Sequence, residues 1–483
     1  MARWQWWLTA LISTSPLAAQ GARPAADRCE APPAGWPAAQ EWLRLSRTAL
    51  GFPQGDSVLS YQGTDTDVYN YQSDRWYAPY AGASSEVNNW LDLSSRVERV
   101  GAGGHRPALL MAEHAAVVLR DTAAVPSPQA QAAFGPRRGL NPWAILADWS
   151  ADPGVRVSGR CWIRDYWRVS LTRQGDVGED HLYLDPLSAF PVQLSRVEAH
   201  YLWGRVRADY RYLTWYDQLL PAAAAREIDG VPDAYRVYTS SRLVPRDSAP
   251  SFALPSGLAA MPRVLPQFLQ AIPPDTIRVS ANLYLLRNPG YTEAVALVRD
   301  TVWILDATQS EQRAALDSAW IGKLFPGRHA LMLIVTDLAW PHIAGVRYWV
   351  AQGATVISHR MSTDPLKAVI ERRWSDSTDL LERRRTQVRF RFRAVDQPTE
   401  LAAGALRVVP LQGVGSEGGL GVWIATEKFW WAGDYVQRLD APSLYGREMI
   451  GTVRSTGVEP VRFGAQHVGL ADWSKLVTAN PGR

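Results

Sequence analysis

Between about Ser57 and Pro245 apolar and polar residues alternate. Trp167, Val169 and Leu171 interleave with Arg168, Ser170 and Thr172, and Val206, Ala208, Tyr210 and Tyr212 interleave with Arg205, Arg207, Asp209 and Arg211. A period of two with a polar opposite face predicts antiparallel strands covered on one side. Ahead of this region the pattern predicts a helix over Ala38–Leu50, stopped by Gly51 and Pro53. Behind it, residues 246–275 hold six prolines and read as a linker with a short helix.

The pattern then changes. Leu283–Leu286, Ala294–Val298 and Val302–Leu305 are short apolar runs that predict strands. Thr308 and Glu311 are spaced as a capping box for a helix to about Lys323, closed by Pro326-Gly327. Leu331–Val335 is continuously apolar, as in a buried sheet. A second helix is predicted from His342 to Gly353, then a strand over Ala354–Ser358. A third helix is predicted with Asp364 as N-cap and Pro365 at its first position. Strands alternate to the end of the chain. This mixture predicts a layered α/β domain preceded by an antiparallel β-rich one. The expected divisions are 1–22, 23–56, 57–245, 246–271 and 272–483.

At 483 residues the chain is long enough for two or three domains, and 47% hydrophobic content supplies their cores. Arginines are scattered and lysine occurs only at 323, 367, 428 and 475. No basic stripe with interleaved aromatics exists, which argues against a nucleic-acid partner. The 22 tryptophans suit large cores or the walls of an apolar ligand site. Arg3, the apolar run Trp4–Leu17 and the small residues Ala18, Ala19, Gly21 and Ala22 form the pattern of a cleaved export signal, too short to span a bilayer comfortably. A periplasmic or secreted protein without a stable membrane span is expected. Export would permit a disulfide between the two cysteines, Cys29 and Cys161, but sequence separation does not decide whether they meet.

Two resemblances add to this. Leu182-Tyr183-Leu184-Asp185-Pro186 followed by Phe190-Pro191-Val192, with Leu220-Pro221 and Ile228-Asp229-Gly230 later, resembles part of the half-barrel of bacterial lipoprotein carriers. That resemblance implies an apolar or lipid ligand for the β domain; a generic β-sheet domain is the alternative. The second resemblance is more specific. Leu305-Asp306, a helix, Leu331–Val335 and Thr336-Asp337-Leu338-Ala339-Trp340-Pro341-His342-Ile343-Ala344-Gly345 resemble the frame of the metallo-β-lactamase superfamily around its Thr-His-x-His-x-Asp-His motif. Ala432-Gly433-Asp434-Tyr435 resembles that superfamily's Gly-Asp element, and Gly464-Ala465-Gln466-His467-Val468-Gly469 its closing Gly-His-Gly turn. The implied fold is an αββα sandwich.

The motif is degenerate. Asp337, Ala339, Pro341 and Gly415 stand where the resemblance places ligands, and His342 is the one histidine retained in the leading motif. One of the two metal positions that the resemblance implies is therefore lost. The other keeps His342, Asp434 and His467, with Asp337 as a possible fourth ligand. His359 is placed beside the site without a ligand role. Two imidazoles and a carboxylate suit one divalent ion, zinc first, with an open position for water. Three functions remain open at this point. One is a metal-free domain with a binding or structural role. The second is a mononuclear metallohydrolase acting through an activated water. In the third, the β domain carries an unidentified small or apolar ligand. No phosphate loop or nucleophile elbow is present.

Overall fold

The structure is a computed structural model that describes residues 28–52, 57–69, 81–101, 108–112, 115–120, 123–127, 135–200, 202–215, 221–253, 272–374 and 378–481. The expected export signal and residues 254–271 of the expected linker lie outside the described residues. Among the described residues no helix is long and apolar enough to cross a membrane.

The alternating region forms a 14-stranded antiparallel sheet. Its centre is a meander of seven strands from Arg156–Ile163 to Val231–Pro245, after which Ser57–Tyr69 pairs along the last of them. Val206, Ala208, Tyr210 and Tyr212 are all buried, as period two requires. Ala208, Tyr210 and Tyr212 face a core completed by the helices Ala39–Ala49 and Pro142–Ala151, whose Trp42, Trp143 and Trp149 are buried there. Three polar tips are satisfied at the helix–sheet junction: Trp143 Nε1 donates to Leu50 O, and the Tyr212 and Tyr238 hydroxyls donate to the carbonyls of Gly139 and Leu140. The segment read as 23–56 is not separate from this sheet. Arg28–Glu30 is a strand paired with residues 160–162, and the disulfide Cys29–Cys161 joins the two.

From Asp275 onward the chain builds two further sheets of seven and six strands. Leu283, Leu285, Trp303 and Ile334 of the first meet Val408, Val422, Phe429 and Trp431 of the second in one core. The outer face of the first sheet packs on the helices Glu311–Leu324, Val346–Ala351 and Thr363–Glu371. The outer face of the second packs on Leu444–Thr456 and Trp473–Ala479. The layers are thus α/β/β/α. The first sheet is parallel from Thr301–Leu305 through Ala330–Val335, Thr355–His359 and Arg391–Val395, and in the second Phe429–Trp431 runs parallel to Arg462–Ala465.

Three helix starts differ from the expected ones. The N-cap before Glu311 is Ser310, whose hydroxyl accepts from Arg313 N, while Thr308 turns inward and donates to Glu293. The helix expected over His342–Gly353 is split into Trp340–Ile343 and Val346–Ala351. Gly345 at the break is closely packed: a Cβ there would lie 3.0 Å from Ala314 Cβ, so its neighbours would have to give by a few tenths of an ångström. The next helix begins at Thr363, so Asp364 and Pro365 lie inside its first turn.

The two parts of the chain touch through one rim of the large sheet. Leu202, Trp203 and Val206, at the turn between Pro191–His200 and Gly204–Thr214, belong to the same core as Ile343 and Trp349. Asp229 at the neighbouring turn pairs with Arg372 at 2.8 Å. His200 stacks on Trp340, two residues before His342, with ring centroids 5.1 Å apart. Burial pushes the His200 imidazole down to about 3, with Arg226 and Arg372 adding to the effect, so it stacks as a neutral ring.

Candidate metal centre

Parallel strands end on the same side of a sheet, so residues just past those ends converge. Asp306 follows Thr301–Leu305, and Thr336-Asp337 follows Ala330–Val335. In the second sheet, Asp434 follows Phe429–Trp431 and His467 follows Arg462–Ala465. These four connections meet at one edge of the sandwich.

At the base lies Asp306, buried and fully engaged. It accepts from Thr336 N and Oγ1, Trp431 Nε1 and Gln466 Nε2 at 2.8–2.9 Å. Burial and the neighbouring Asp337 raise its carboxyl to about 6, against the pull of these donors. This knot ties both sheets together beneath the site. Gly433 closes it: its φ is +58°, and a Cβ there would fall 2.3 Å from Thr336 Oγ1. Gln466 N also donates to Gly433 O, joining the Asp434 turn to the His467 turn.

Above the knot stand His342, Asp434 and His467, with one ligand atom of each within 4.8 Å of the others. His467 Nε2 is 3.0 Å from Asp434 Oδ1, and His342 Nε2 is 3.9 Å from the same oxygen. The other nitrogen of each ring is already occupied. His342 Nδ1 is 2.6 Å from Asp337 Oδ1, and His467 Nδ1 is 2.9 Å from Gly290 O. An acceptor on Nδ1 fixes the tautomer that carries hydrogen there and leaves the Nε2 lone pair free. Tyr291 lies against both rings, with centroids 5.6 and 5.1 Å away.

This arrangement is electrostatically incomplete. Asp434 Oδ1 is buried and has no hydrogen bond of acceptable geometry, although His467 Nε2 is close. With both rings neutral, in the tautomers set by Asp337 and Gly290, two nitrogen lone pairs would face a carboxylate oxygen. Acceptors brought that close repel unless a cation or a proton lies between them. The charges respond accordingly. Burial alone would depress His342, but Asp337 and Asp434 raise it to about 9. Burial would raise Asp434, yet His342 and then His467 hold it below the usual carboxylate range.

The donor set fits a metal. Ligand bonds of about 2.0–2.1 Å in tetrahedral geometry place ligand atoms about 3.3 Å apart. The two measured separations, 3.0 and 3.9 Å, bracket that value.

Two expected site residues take other roles. Asp337 stands outside the three-residue cluster: its Oδ1 is used by His342 Nδ1 and by Ala339 N at 2.8 Å, which places it behind the imidazole. His359 stays apart from the cluster, its Nδ1 accepting from Met361 N. At two of the positions where the resemblance expected ligands, the side chains present cannot coordinate. Ala339 offers no donor, and Gly415 packs where a Cβ would meet the Tyr445 ring at 2.7 Å. The sequence reading missed the Gly290 carbonyl, Tyr291 and Gln466. A carbonyl acceptor carries no sequence signal, but the turn Asn288-Pro289-Gly290, ending with Gly290 at φ +90°, was a visible hairpin.

No protein-family model matches the chain, and no curated protein matches it. Solved structures do. It is similar to the DIM-1 metallo-beta-lactamase at 16% identity and TM-score 0.33, over 43% of this chain and 94% of that one. A metallo beta lactamase from Erythrobacter litoralis is similar at 12% identity and TM-score 0.33, over 42% and 93%. One from Hirschia baltica is similar at 10% and 0.34, over 44% and 100%.

Proposed function

We propose that the C-terminal domain binds one divalent metal ion, zinc foremost, through His342 Nε2, Asp434 Oδ1 and His467 Nε2, and acts as a mononuclear metallohydrolase. The observation that carries this is the facing of two imidazole Nε2 atoms, in rings whose Nδ1 atoms already have acceptors, on a buried carboxylate oxygen that has no hydrogen bond of its own. When bound, such an ion supplies Lewis acidity and activates water at neutral pH. Three protein ligands leave a position open for that purpose.

The chain's own residues supply the rest. Asp337 and Gly290 O orient the two rings. Tyr291 covers one side of both imidazoles and limits water there. Asp434 and His467 are partly exposed, with 24% and 30% of their side chains accessible, so substrate approaches from their side. The disulfide Cys29–Cys161 supports placing the protein in an oxidising compartment outside the cytoplasm.

Metal analysis of purified protein, after saturation with zinc and removal of the excess, tests the assignment. About one equivalent per chain is expected, falling to none in His342→Ala/His467→Ala. Hydrolysis is then assayed against esters, phosphodiesters and lactams with and without the ion. Failure to retain any ion would leave the domain as a metal-free platform, as the degenerate motif also allows. Retention without turnover of any substrate class would leave a binding protein.

A further inference from the structure

We propose that His200, a residue of the large sheet, is a positioning residue for the metal centre: its stack on Trp340 sets the direction of His342 Nε2. The inference rests on the metal assignment above and extends it to the other part of the chain.

His342 sits in a helix too short to hold itself. Trp340–Ile343 is a single turn without a side-chain cap, and Pro341 brings no N–H to it. Within it, His342 N donates to Ala339 O. Its placement must come from its surroundings. On one side stands the connection after Leu305, where Ala307 N and Gln309 N donate to the carbonyls of His342 and Pro341. On the other side stands the large sheet. Trp340, two residues before the ligand, stacks on His200 with ring centroids 5.1 Å apart and planes 26° apart. Ile343, one residue after it, shares a core with Leu202, Trp203 and Val206. Both flanks of His342 therefore lean on the large sheet. The turns of Asp434 and His467 are held instead by Gln437, Gln466 and Gly290, all within the C-terminal domain.

The support under Trp340 is itself fixed. His200 Nδ1 accepts from Leu202 N at 3.2 Å and from Trp203 N at 3.3 Å, which holds the ring over its own turn. Gly204 closes that turn at φ +71°, and a Cβ there would fall 2.9 Å from the Trp374 ring of the C-terminal domain. Arg372 lies 5.6 Å over the Trp203 ring and pairs with Asp229 at the neighbouring turn. His200 thus meets Trp340 from a platform tied down at other points. A ring pressed on Trp340 limits how far the single helical turn can roll, and that roll would carry the His342 imidazole with it. A ligand atom displaced by more than about 0.5 Å leaves productive geometry. The coupling is reciprocal: whatever the stack adds to zinc affinity, zinc adds to the docking of the two parts of the chain.

Two substitutions at His200 separate the ring from its acceptor. His200→Asn keeps an acceptor at the same place, Oδ1 for Nδ1, and removes the stacking face. His200→Phe keeps the face and removes the acceptor. Zinc affinity of the full chain, measured by competition with a chelating dye, is expected to fall about 3–10-fold in His200→Asn and to stay within about twofold of wild type in His200→Phe. Trp340→Leu removes the stack from the other side and is expected to match His200→Asn. Asp229→Asn takes the charge from the pair with Arg372 but leaves the stack, and is expected to bind zinc as wild type does. Cobalt(II) in place of zinc gives a second readout, because its visible spectrum reports coordination geometry. That spectrum is expected to change in His200→Asn and Trp340→Leu and to persist in His200→Phe. Wild-type affinity in His200→Asn, a loss in His200→Phe as large as in His200→Asn, or an equal loss in Asp229→Asn overturns the role of His200 and leaves the metal assignment standing. Failure of the wild-type chain to bind zinc overturns both.

Discussion

The two imidazoles of the centre are held in opposite ways. His342 sits in the interior, with 4% of its side chain exposed, and rests on the buried carboxylate of Asp337. His467 is 30% exposed and rests on the neutral carbonyl of Gly290. Both present Nε2 to Asp434, but His342 carries the fold of its loop with it and His467 does not. Ala307 N donates to His342 O and Gln309 N to Pro341 O, so the backbone of the first arm is bound into the strand-to-helix connection after Leu305. A ligand can therefore be a structural member or an appendage within one site, and substitutions should separate the two.

The largest expected difference is between alanine substitutions. His342→Ala leaves Asp337 buried without its cationic partner and should destabilise the domain by about 3–5 kcal/mol. His467→Ala removes a half-exposed ring and should shift stability by no more than ~1 kcal/mol. Both should abolish metal retention. Chemical denaturation paired with metal analysis checks this; equal losses of stability would break the contrast between the arms.

Gly433→Ala acts on the oxygen the arms share. It forces a side chain into Thr336 and onto a left-handed backbone, so a cost of about 2–3 kcal/mol is expected together with weaker metal retention. Asp337→Asn should leave stoichiometry at one ion but lower affinity about 10–100-fold, because the amide no longer draws the proton of Nδ1 as strongly. A competition titration with a chelator measures it. Unchanged affinity would show that Asp337 does not orient His342.

The smallest effect concerns what lies behind the first arm. Glu293 is buried and accepts from Thr308 N and Oγ1, in the connection that holds His342. Burial, and then Asp317, raise its carboxyl to about 8. Between the unfolded value of about 4.5 and this value the folded state holds a proton that the unfolded chain has released. Stability should thus be greatest below about pH 4.5 as far as this group is concerned, and fall as pH rises to 8. Glu293→Gln should flatten that slope and stabilise the protein at pH 9 by about 1–3 kcal/mol. Thermal melts at pH 6 and 9 test it, and a slope that survives the substitution would assign the dependence elsewhere.

Much of the architecture was legible along the chain because burial imposes a period. Leu331–Val335 was readable as an interior strand, and Val206 to Tyr212 as one covered face of another. Helix starts were less legible, since several residues near Glu311 could cap it. Ser310 does so because Thr308 is drawn inward to Glu293, a contact fifteen residues apart. The candidate ligands were legible for a different reason, namely that the segments holding them resemble the metal-binding motifs of the metallo-β-lactamase superfamily. Their separate tasks were not. Asp337 was counted as a possible fourth ligand because it stands where the resemblance places one, and nothing in its neighbours along the chain says that His342 Nδ1 will occupy its Oδ1.

The chain by itself determined which residues could form strands, which could be interior and which could donate to a metal, since these follow from side-chain chemistry and local period. Only the tertiary structure decided that parallel strands from two sheets end together. That places Asp434 and His467, 33 residues apart, on one side of a gap and His342 on the other. It also decided which face of each ring is free, because the acceptor that fixes His467 comes from Gly290, 177 residues away. Distances of that kind arise from packing, and packing depends on the whole fold.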